Sequence, residues 1–224
     1  MIEIKPIAII KTDFKEKFGI PRQSGRNKSA LGKIVFLPEF RNEQALKRIE
    51  EFNYLWLLFH FSENKKQNWS ATVRPPRLGG NERVGVFATR SPYRPNPIGL
   101  SSVKLERIED TKDGKVLIVS GVDLLDGTPI IDIKPYIPAS DLHEDAIGGF
   151  SEDFTNYALK VNFPDNLLHL VSKDKQQTLI KCLEDDPRPS YQDDDRIYGM
   201  TFDNLNVSFT VKNLVLTVVN VEIK

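Results

Sequence analysis

The stretch L-S-S-V-K-L-E-R-I-E-D-T-K-D-G-K-V-L-I-V-S-G-V, residues Leu100 to Val122, predicts two strands joined by a tight turn. Both arms are rich in β-branched and apolar residues, which favour strands. Asp113-Gly114 stands between them, and this pair is a strong short-range signal for a β-hairpin. The stretch therefore predicts an antiparallel pair, Leu100 to Ile108 with Val116 to Val122.

Further segments of the first 140 residues show the same strand character. Most of them are bounded by Gly, Pro, Asn or Asp, and Asp126-Gly127 is a second turn signal. Only Asn42 to Phe52 has helical periodicity, with Asn42 as the N-cap. Short strands with so few helices favour a closed antiparallel sheet over a doubly wound one. The additional predicted strands are Ile2 to Ile10, Lys33 to Leu37, Tyr54 to Phe61, Arg83 to Thr89 and Thr128 to Ile133.

The fold class predicted for the chain is therefore mainly β, with an antiparallel β-barrel domain over residues 1–145 and a small α+β domain over residues 146–224. The second domain is predicted to contain a helix from about Asp174 to Leu183, with Leu179, Ile180 and Leu183 facing inward. Val207, Phe209 and Val211 alternate with polar residues, and Leu214 to Ile223 is predicted to form a final strand.

Composition excludes several classes of function. The 224 residues include 31 basic and 31 acidic side chains, so a basic surface for nucleic acid would have to be local. Cys182 is the only cysteine, which excludes an intrachain disulfide and a cysteine metal cluster, and the three histidines have no ligand-like spacing. The N-terminus is predicted to be a strand rather than a signal peptide, and no apolar run has transmembrane length. We therefore expect a cytoplasmic protein with no metal and no membrane partner.

An uneven charge distribution does occur between Val73 and Gly99, where five arginines alternate with prolines and glycines. One interpretation is a rigid surface connection with solvated arginines. The other is a site for an anionic, planar ligand, because the arginines have only Glu82 as an acidic neighbour. Asn96 lies between Pro95 and Pro97, which restrict the direction of its carboxamide.

Two other segments combine turn residues with polar side chains. In Asp123 to Tyr136 the aspartates Asp123, Asp126 and Asp132 are either turn formers or carboxylates for a ribose diol or a cationic group. The loop Phe18 to Arg26 is either an ordinary hairpin loop or a main chain that hydrogen-bonds a purine edge. No dinucleotide fingerprint, P-loop or nucleophile elbow is present.

These segments carry a family resemblance. K-E-K-F-G-I-P-R-Q-S-G, T-V-R-P-P-R-L-G-G-N, V-G-V-F-A-T-R-S-P-Y-R-P-N-P-I-G-L-S, D-G-T-P-I-I-D-I-K-P-Y and D-P-R-P-S-Y resemble the TrmO, or TsaA-like, family of β-barrel methyltransferases. The resemblance implies S-adenosylmethionine-dependent methylation of N6 in the threonylcarbamoyl-modified adenosine beside the anticodon of threonine tRNAs. It also implies a homodimer with cofactor sites near the subunit interface.

Roles for individual residues follow from the resemblance. Asn96 is expected to accept a hydrogen bond from the target N6 amine, and Tyr93 is expected to stack on the base. Arg74, Arg77 and Arg94 would bind anticodon-loop phosphates or the threonylcarbamoyl carboxylate. The expected cofactor contacts are Gln23, Ser24, Gly25, Phe61, Ser62, Arg90, Leu100, Asp123, Leu124, Leu125 and Asp126.

Two alternatives stay open from the residues alone. The chain could be a non-catalytic RNA-binding barrel, or an S-adenosylmethionine-dependent enzyme that acts on another small substrate. The zero net charge favours these alternatives, whereas the intact Q-S-G, R-P-N-P-I-G and D-P-R-P-S-Y segments favour the tRNA methyltransferase.

Overall fold

A computed structural model describes residues 3–64, 69–78, 81–154, 157–188 and 196–224. Two of the quoted strings fall partly outside these residues, at Gly79-Gly80 and at Pro189 to Tyr191. The strands of the described chain are β1 (Ala8–Thr12), β2 (Leu31–Phe36), β3 (Tyr54–His60), β4 (Thr72–Val73), β5 (Val84–Gly85), β6 (Ile98–Thr111), β7 (Gly114–Ser120), β8 (Pro129–Pro135), β9 (Lys160–Asn162), β10 (Tyr198–Phe202), β11 (Leu205–Lys212) and β12 (Val215–Ile223). The α-helices of the described chain are α1 (Pro138–Asp141), α2 (Asp165–Leu168) and α3 (Lys173–Glu184).

Six strands close into a barrel in the order β1-β2-β7-β6-β3-β8, and β8 returns to pair with β1. Every neighbouring pair is antiparallel. The hairpin predicted around Asp113-Gly114 is confirmed: β6 and β7 pair across this turn, where Gly114 takes a φ of +83°. Alternate residues of each strand point inward, so the barrel interior is filled by side chains. The fully buried ones include Ile10, Ile34, Leu55, Leu57, Leu117 and Ile130.

The C-terminal part forms a four-stranded sheet, β10-β11-β12-β9, in which β9 runs parallel to β12. Val207, Phe209 and Val211 are buried as their alternation predicts. Helix α3 buries Leu179 and Leu183 as predicted, but Ile180 is only half-buried, and Thr178 and Cys182 are buried in its place. The chain is thus mainly β, with a barrel followed by a small α+β unit, as predicted.

One apolar core joins the barrel to this sheet. The Phe14 ring meets the Phe202 ring edge-on at 6.1 Å, and the Phe18 ring stacks on Phe209 at 6.4 Å. A polar contact reinforces the junction, because Lys175 Nζ lies 2.7 Å from carboxylate oxygens of both Asp13 and Asp203. The two units are therefore packed together by shared core residues and by ion pairs.

Three predictions about elements are wrong. The helix expected over Asn42 to Phe52 is two separate 3-10 turns, Glu43–Leu46 and Ile49–Glu51, because Arg48 between them has a left-handed φ of +71°. The N-cap role of Asn42 is confirmed, since its side chain accepts a hydrogen bond from the Gln44 amide.

Of the strand predicted over Arg83 to Thr89, only the two residues of β5 are observed as strand, and Val86–Ala88 forms a 3-10 turn. β4 supplies only two residues for β5 to pair with, so a longer strand has no ladder to join. The first strand, predicted from Ile2, begins at Ala8: Ile2 lies outside the described residues, and residues 3–7 are not strand, which fits Pro6, a residue without an amide donor.

Cys182 behaves as a small apolar residue. Burial raises the pKa of its thiol to about 12, although Asn27 Nδ2 donates a hydrogen bond to the sulfur at 3.3 Å. A thiol with so high a pKa is not a nucleophile near neutral pH. Within the described part of the chain, no helix is long and apolar enough to cross a membrane.

Candidate functional site

A cleft of about 390 Å³ opens at one end of the barrel. The end of β3, the start of β6 and the segment after β7 meet there, because these three strands are antiparallel neighbours in the barrel. The wall is completed by the loop after β1, which contains Phe18 to Arg26, and by the arginine-rich segment from Val73 to Gly99. The residues lining the cleft are Arg22, Gln23, Phe59, Phe61, Arg90, Pro92, Arg94, Ile98, Gly99, Leu100, Ser101 and Asp123.

Aromatic rings form one side of the cleft. Phe59 on β3 pairs with Gly99 on β6, and the Phe59 ring occupies the space that a side chain at position 99 would need. Glycine is therefore required at position 99 by the close approach of this ring. The Phe61 ring meets Phe59 edge-on with the ring centroids 5.0 Å apart. Together they give the cleft an apolar surface suited to a flat ligand group.

A carboxylate, Asp123, lies on another side. Burial raises its pKa to about 6, against the opposing effects of a hydrogen bond from Ser101, the amides of Asp123 and Ser24, and the charge of Arg90. Ser101 Oγ donates to Asp123 Oδ1 at 2.6 Å. A partly desolvated carboxylate at a cleft wall with a pKa so far from its usual value is typical of a binding or catalytic site.

Side-chain hydrogen bonds hold the arginine-rich segment against the loop after β1. Arg90 Nη1 donates to Gln23 Oε1 at 2.8 Å, which links two segments that are far apart in sequence. Arg94 Nη1 donates to the carbonyl of Thr89 at 2.9 Å and so closes its own loop. Asn64 Nδ2 donates to the Pro92 carbonyl at 2.7 Å. These contacts fix the loop that carries Tyr93 and Asn96.

The C-terminal unit supports the same wall. Arg22 Nη2 donates to the carbonyls of Asp186 and Arg188 at 2.9 and 2.8 Å. Arg188 Nε in turn lies 2.9 Å from Asp186 Oδ1, and both side chains are buried. Burial would raise the pKa of Asp186, but hydrogen bonds from Arg188 and Tyr157 outweigh it and lower that pKa. The D-P-R segment, of which Asp186 to Arg188 are described, is thus a structural anchor for the loop that contains Gln23.

The structure places five of the expected cofactor residues together. Gln23, Phe61, Arg90, Leu100 and Asp123 all line the cleft, although they come from five separate segments. Arg94, expected to bind substrate, lines it too.

Other expected cofactor residues lie beside the cleft and support it through their backbone or hydroxyl groups. Ser24 Oγ accepts a hydrogen bond from the Ser102 amide at 3.2 Å. The Gly25 amide donates to the Gly121 carbonyl at 2.9 Å, and the Ser62 amide donates to the His60 carbonyl at 2.8 Å. None of these three expected residues is part of the lining.

The segment after Asp123 turns away from the lining. Leu124 is buried in the core at 2% exposure, and the Leu125 carbonyl accepts a hydrogen bond from Thr128 Oγ1. Asp126 accepts from the Thr12 amide and pairs with Lys15 at 3.1 Å, and these contacts outweigh burial and lower its pKa. The third aspartate of this segment, Asp132, pairs with Lys134 at 2.9 Å.

The expected catalytic pair lies in the loop between lining residues. Tyr93 and Asn96 are both exposed, and neither belongs to the lining of the cleft. The Asn96 carbonyl accepts a hydrogen bond from the Ile98 amide at 2.7 Å, and no described residue hydrogen-bonds its carboxamide. Arg74 is exposed, and the side chain of Arg77 lies outside the part of the structure that is described.

Sequence reasoning missed several lining residues, of which Arg22, Phe59 and Ser101 matter most. Phe59 and Ser101 belong to strands, and the face that each presents depends on the pairing of β3 with β6. The signal for Ser101 is a serine that takes an inward position of β6, where a strand facing only the core would carry an apolar residue. Arg22 stands in the quoted P-R-Q-S-G string, but its contact with the C-terminal unit has no local signal. Within the described residues, no group of three or more His, Cys, Asp or Glu side chains is arranged to hold a metal ion.

Comparisons with known proteins show which family the chain is similar to. The family model described as "tRNA-methyltransferase O N-terminal domain" matches residues 9–142, and the "TrmO C-terminal domain" model matches residues 156–224. The chain is 39% identical over 218 residues to the tRNA (adenine(37)-N6)-methyltransferase of Escherichia coli K12, covering 93% of each protein. It is 40% identical over 213 residues to a putative S-adenosylmethionine-dependent methyltransferase, RcsF, of Pseudomonas aeruginosa PAO1, covering 91% of this chain and 90% of the relative. The crystal structure of TrmO from P. aeruginosa superposes with a TM-score of 0.80 at 34% identity, over 100% of this chain and 98% of that one.

Proposed function

The chain belongs to the tRNA-methyltransferase O family, and on that premise we propose that it methylates N6 of the threonylcarbamoyl-modified adenosine beside the anticodon of threonine tRNAs, as a cytoplasmic homodimer. Its general activity is that of an S-adenosylmethionine-dependent tRNA (adenine(37)-N6)-methyltransferase. The observation that carries the proposal is the convergence of Gln23, Phe61, Arg90, Leu100 and Asp123 on one cleft.

The residues of the cleft fit S-adenosylmethionine. The volume of about 390 Å³ lies within the range of small-molecule sites. Phe59 and Phe61 offer flat apolar surface for an adenine, and the Asp123 carboxylate suits a ribose diol or an ammonium group. Arg90 supplies positive charge for the carboxylate of the methionine portion. When bound, this cofactor supplies the electrophilic methyl group.

The protein contributes orientation and exclusion of water. In our proposal the Asn96 carboxamide oxygen accepts a hydrogen bond from the adenine N6–H and so directs the nitrogen lone pair. Its backbone is held by the Ile98 amide and by the prolines on both sides, which favours a fixed direction. Holding two reactants in the reacting geometry lowers a barrier by several kcal/mol, up to about 10 in favourable cases.

Substrate contacts are assigned to the exposed loop. Tyr93, 40% exposed, would stack on the target base. Arg74, Arg77 and Arg94 would bind phosphates of the anticodon loop or the threonylcarbamoyl carboxylate. Arg94 uses one nitrogen to hold its own loop, so it acts both in positioning and in charge.

The test is transfer of labelled methyl from S-adenosylmethionine to bulk tRNA prepared with and without the threonylcarbamoyl modification. We expect label only in the modified tRNA, at an adenosine of threonine tRNAs on mapping. Label in both preparations would remove the modification as a recognition element. Label in neither, with cofactor binding intact by calorimetry, would favour a small-molecule substrate. Sedimentation of the protein with and without cofactor tests the homodimer.

A further inference from the structure

An exposed aromatic pair, Trp69 and Phe87, stands outside the lining of the cleft and close in sequence to its lining residue Arg90. The Trp69 and Phe87 rings stack at a centroid distance of 6.3 Å and an interplanar angle of 25°. Trp69 is 52% exposed and Phe87 is 74% exposed, so both rings leave much of their surface to solvent. Exposed aromatic pairs of this kind are costly in water and mark interaction surfaces.

The backbone holds the pair in place. Thr72 and Val73 of β4 pair with Val84 and Gly85 of β5, so the residues flanking this two-stranded sheet come together. The Val86 amide donates to the Ala71 carbonyl at 2.9 Å, which extends the contact. Val86 is 1% exposed and anchors the 3-10 turn on which Phe87 stands. The two rings are therefore presented by a fixed scaffold.

The charge around the pair indicates the chemistry of its partner. Residues 69–100 contain five arginines and one glutamate, a net charge of +4 in a chain whose total is zero. Among the described residues, Arg83 hydrogen-bonds Thr72 and Arg90 hydrogen-bonds Gln23, and neither forms an ion pair. Aromatic rings within a positively charged groove are the way proteins bind unpaired bases.

A second copy of the chain fits this surface less well. A two-fold interface places the same patch of each subunit against the other. The +4 segment would then face itself, and like charges at close range repel. A polyanion with exposed bases satisfies both the rings and the arginines.

We propose that Trp69 and Phe87 form a stacking surface for a second unpaired base of the RNA loop that presents the target adenosine. The inference rests on the proposed function. Phe87 stands three residues before Arg90, which lines the cleft, so a base on the pair and the target at the cleft can belong to one loop. The surface would recognise a base by its flat face, with little preference for its identity.

Tryptophan fluorescence tests the proposal directly. The chain has two tryptophans, and the other, Trp56, donates its Nε1–H to Asp141. A Trp56→Phe variant therefore reports on Trp69 alone. Titration with a synthetic anticodon stem-loop RNA is expected to quench this fluorescence, whereas a fully paired RNA duplex of the same length should not.

Affinity measurements give the magnitude. Trp69→Ala and Phe87→Ala are each expected to raise the Kd for the stem-loop roughly 5- to 150-fold, as stacked aromatics do on alanine substitution. The slope of log Kd against log salt should stay unchanged, because no charge is lost. Arg83→Gln should instead reduce that slope by about one. Trp69→Phe should restore most of the affinity, and Ile147→Ala, which removes an apolar side chain that is 87% exposed elsewhere, is the matched control.

The outcomes separate this inference from the proposed reaction. Unchanged stem-loop affinity in both alanine variants, or binding without quenching, overturns the stacking surface even if methyl transfer is intact. Loss of the homodimer by sedimentation in either variant overturns it too, in favour of a subunit contact. Quenching and the predicted losses without any methyl transfer by the wild type would support the surface and overturn only the reaction.

Discussion

Two groups of arginines in this protein have opposite surroundings. At the junction with the C-terminal unit, Arg26 pairs with Asp185 at 2.6 Å and Arg188 pairs with Asp186 at 2.9 Å. In the arginine-rich segment, none of the arginines with described side chains forms an ion pair. Those four are Arg74, Arg83, Arg90 and Arg94.

The contrast teaches which charges serve the fold. A buried charge is tolerated only when paired and hydrogen-bonded, and the Arg188–Asp186 pair meets that condition. An exposed arginine without a carboxylate partner contributes little to stability, and a set of them raises the local positive potential instead. The junction arginines therefore hold the two units, whereas the segment arginines, of which Arg90 and Arg94 also hydrogen-bond loop residues, keep a positive charge that can bind an anionic ligand.

The largest expected effect is the loss of a junction arginine. Arg188→Ala would leave the buried Asp186 carboxylate with Tyr157 as its hydrogen-bonding side chain and should lower the free energy of unfolding by about 3–5 kcal/mol. Chemical denaturation measures it. Arg74→Ala is the matched control from the other group and should leave the denaturation midpoint unchanged. Equal midpoints for both variants would abolish the distinction.

Asp123 tests whether Arg90 belongs to the unpaired group. With a pKa of about 6 in the folded state against 3.8 for the free group, protonated Asp123 stabilises the fold below about pH 4. That contribution is lost as the pH rises through about 6. Since one pKa unit corresponds to about 1.4 kcal/mol, the cofactor-free wild type should lose about 2–3 kcal/mol relative to Asp123→Asn between pH 4 and pH 7.

Denaturation of both proteins across this range measures the difference, and effects common to both cancel. A stability difference that is flat with pH, or an Asp123 pKa below 4 by NMR, would make Asp123 and Arg90 an ion pair. Arg90 would then belong with the junction arginines, which are paired with a carboxylate. If the carboxylate binds the cofactor as proposed, cofactor affinity should weaken as the pH falls below about 6.

Asn96 extends the contrast from charge to hydrogen bonding, because its carboxamide has no hydrogen-bond partner among the described residues. Asn96→Ala should lower turnover by about tenfold or more, as loss of an orienting group does, with cofactor affinity by calorimetry unchanged. The backbone contact of residue 96 to Ile98 survives in the variant. Wild-type turnover in Asn96→Ala would remove this side chain from the mechanism.

The sequence predicts the features that have a local signature, and it does not predict those that depend on contacts between distant segments. Alternation and the Asp113-Gly114 turn predict the barrel strands, because a strand half-buried in a sheet has a local signature. The helix expected after Asn42 fails at Arg48, whose positive φ has no signal in a polar, helix-forming sequence. The cleft residues on loops carry Gly, Pro and polar signals, whereas Phe59 depends on strand register. Arg22 depends on a contact with residues more than 160 positions away, which no local pattern shows.

The smallest expected effect concerns a single arginine of the segment. Arg74→Gln should weaken tRNA binding only a few-fold at moderate salt and reduce the slope of log Kd against log salt by about one, because one phosphate contact is lost. Arg107→Gln is the matched control, since Arg107 is equally a surface arginine but pairs with Glu109 at 2.6 Å. Its charge is already partly neutralised, so its removal should change neither affinity nor slope. If the two variants weaken binding alike, total positive charge rather than the unpaired segment attracts the RNA, and the distinction between the two groups of arginines would have no bearing on recognition.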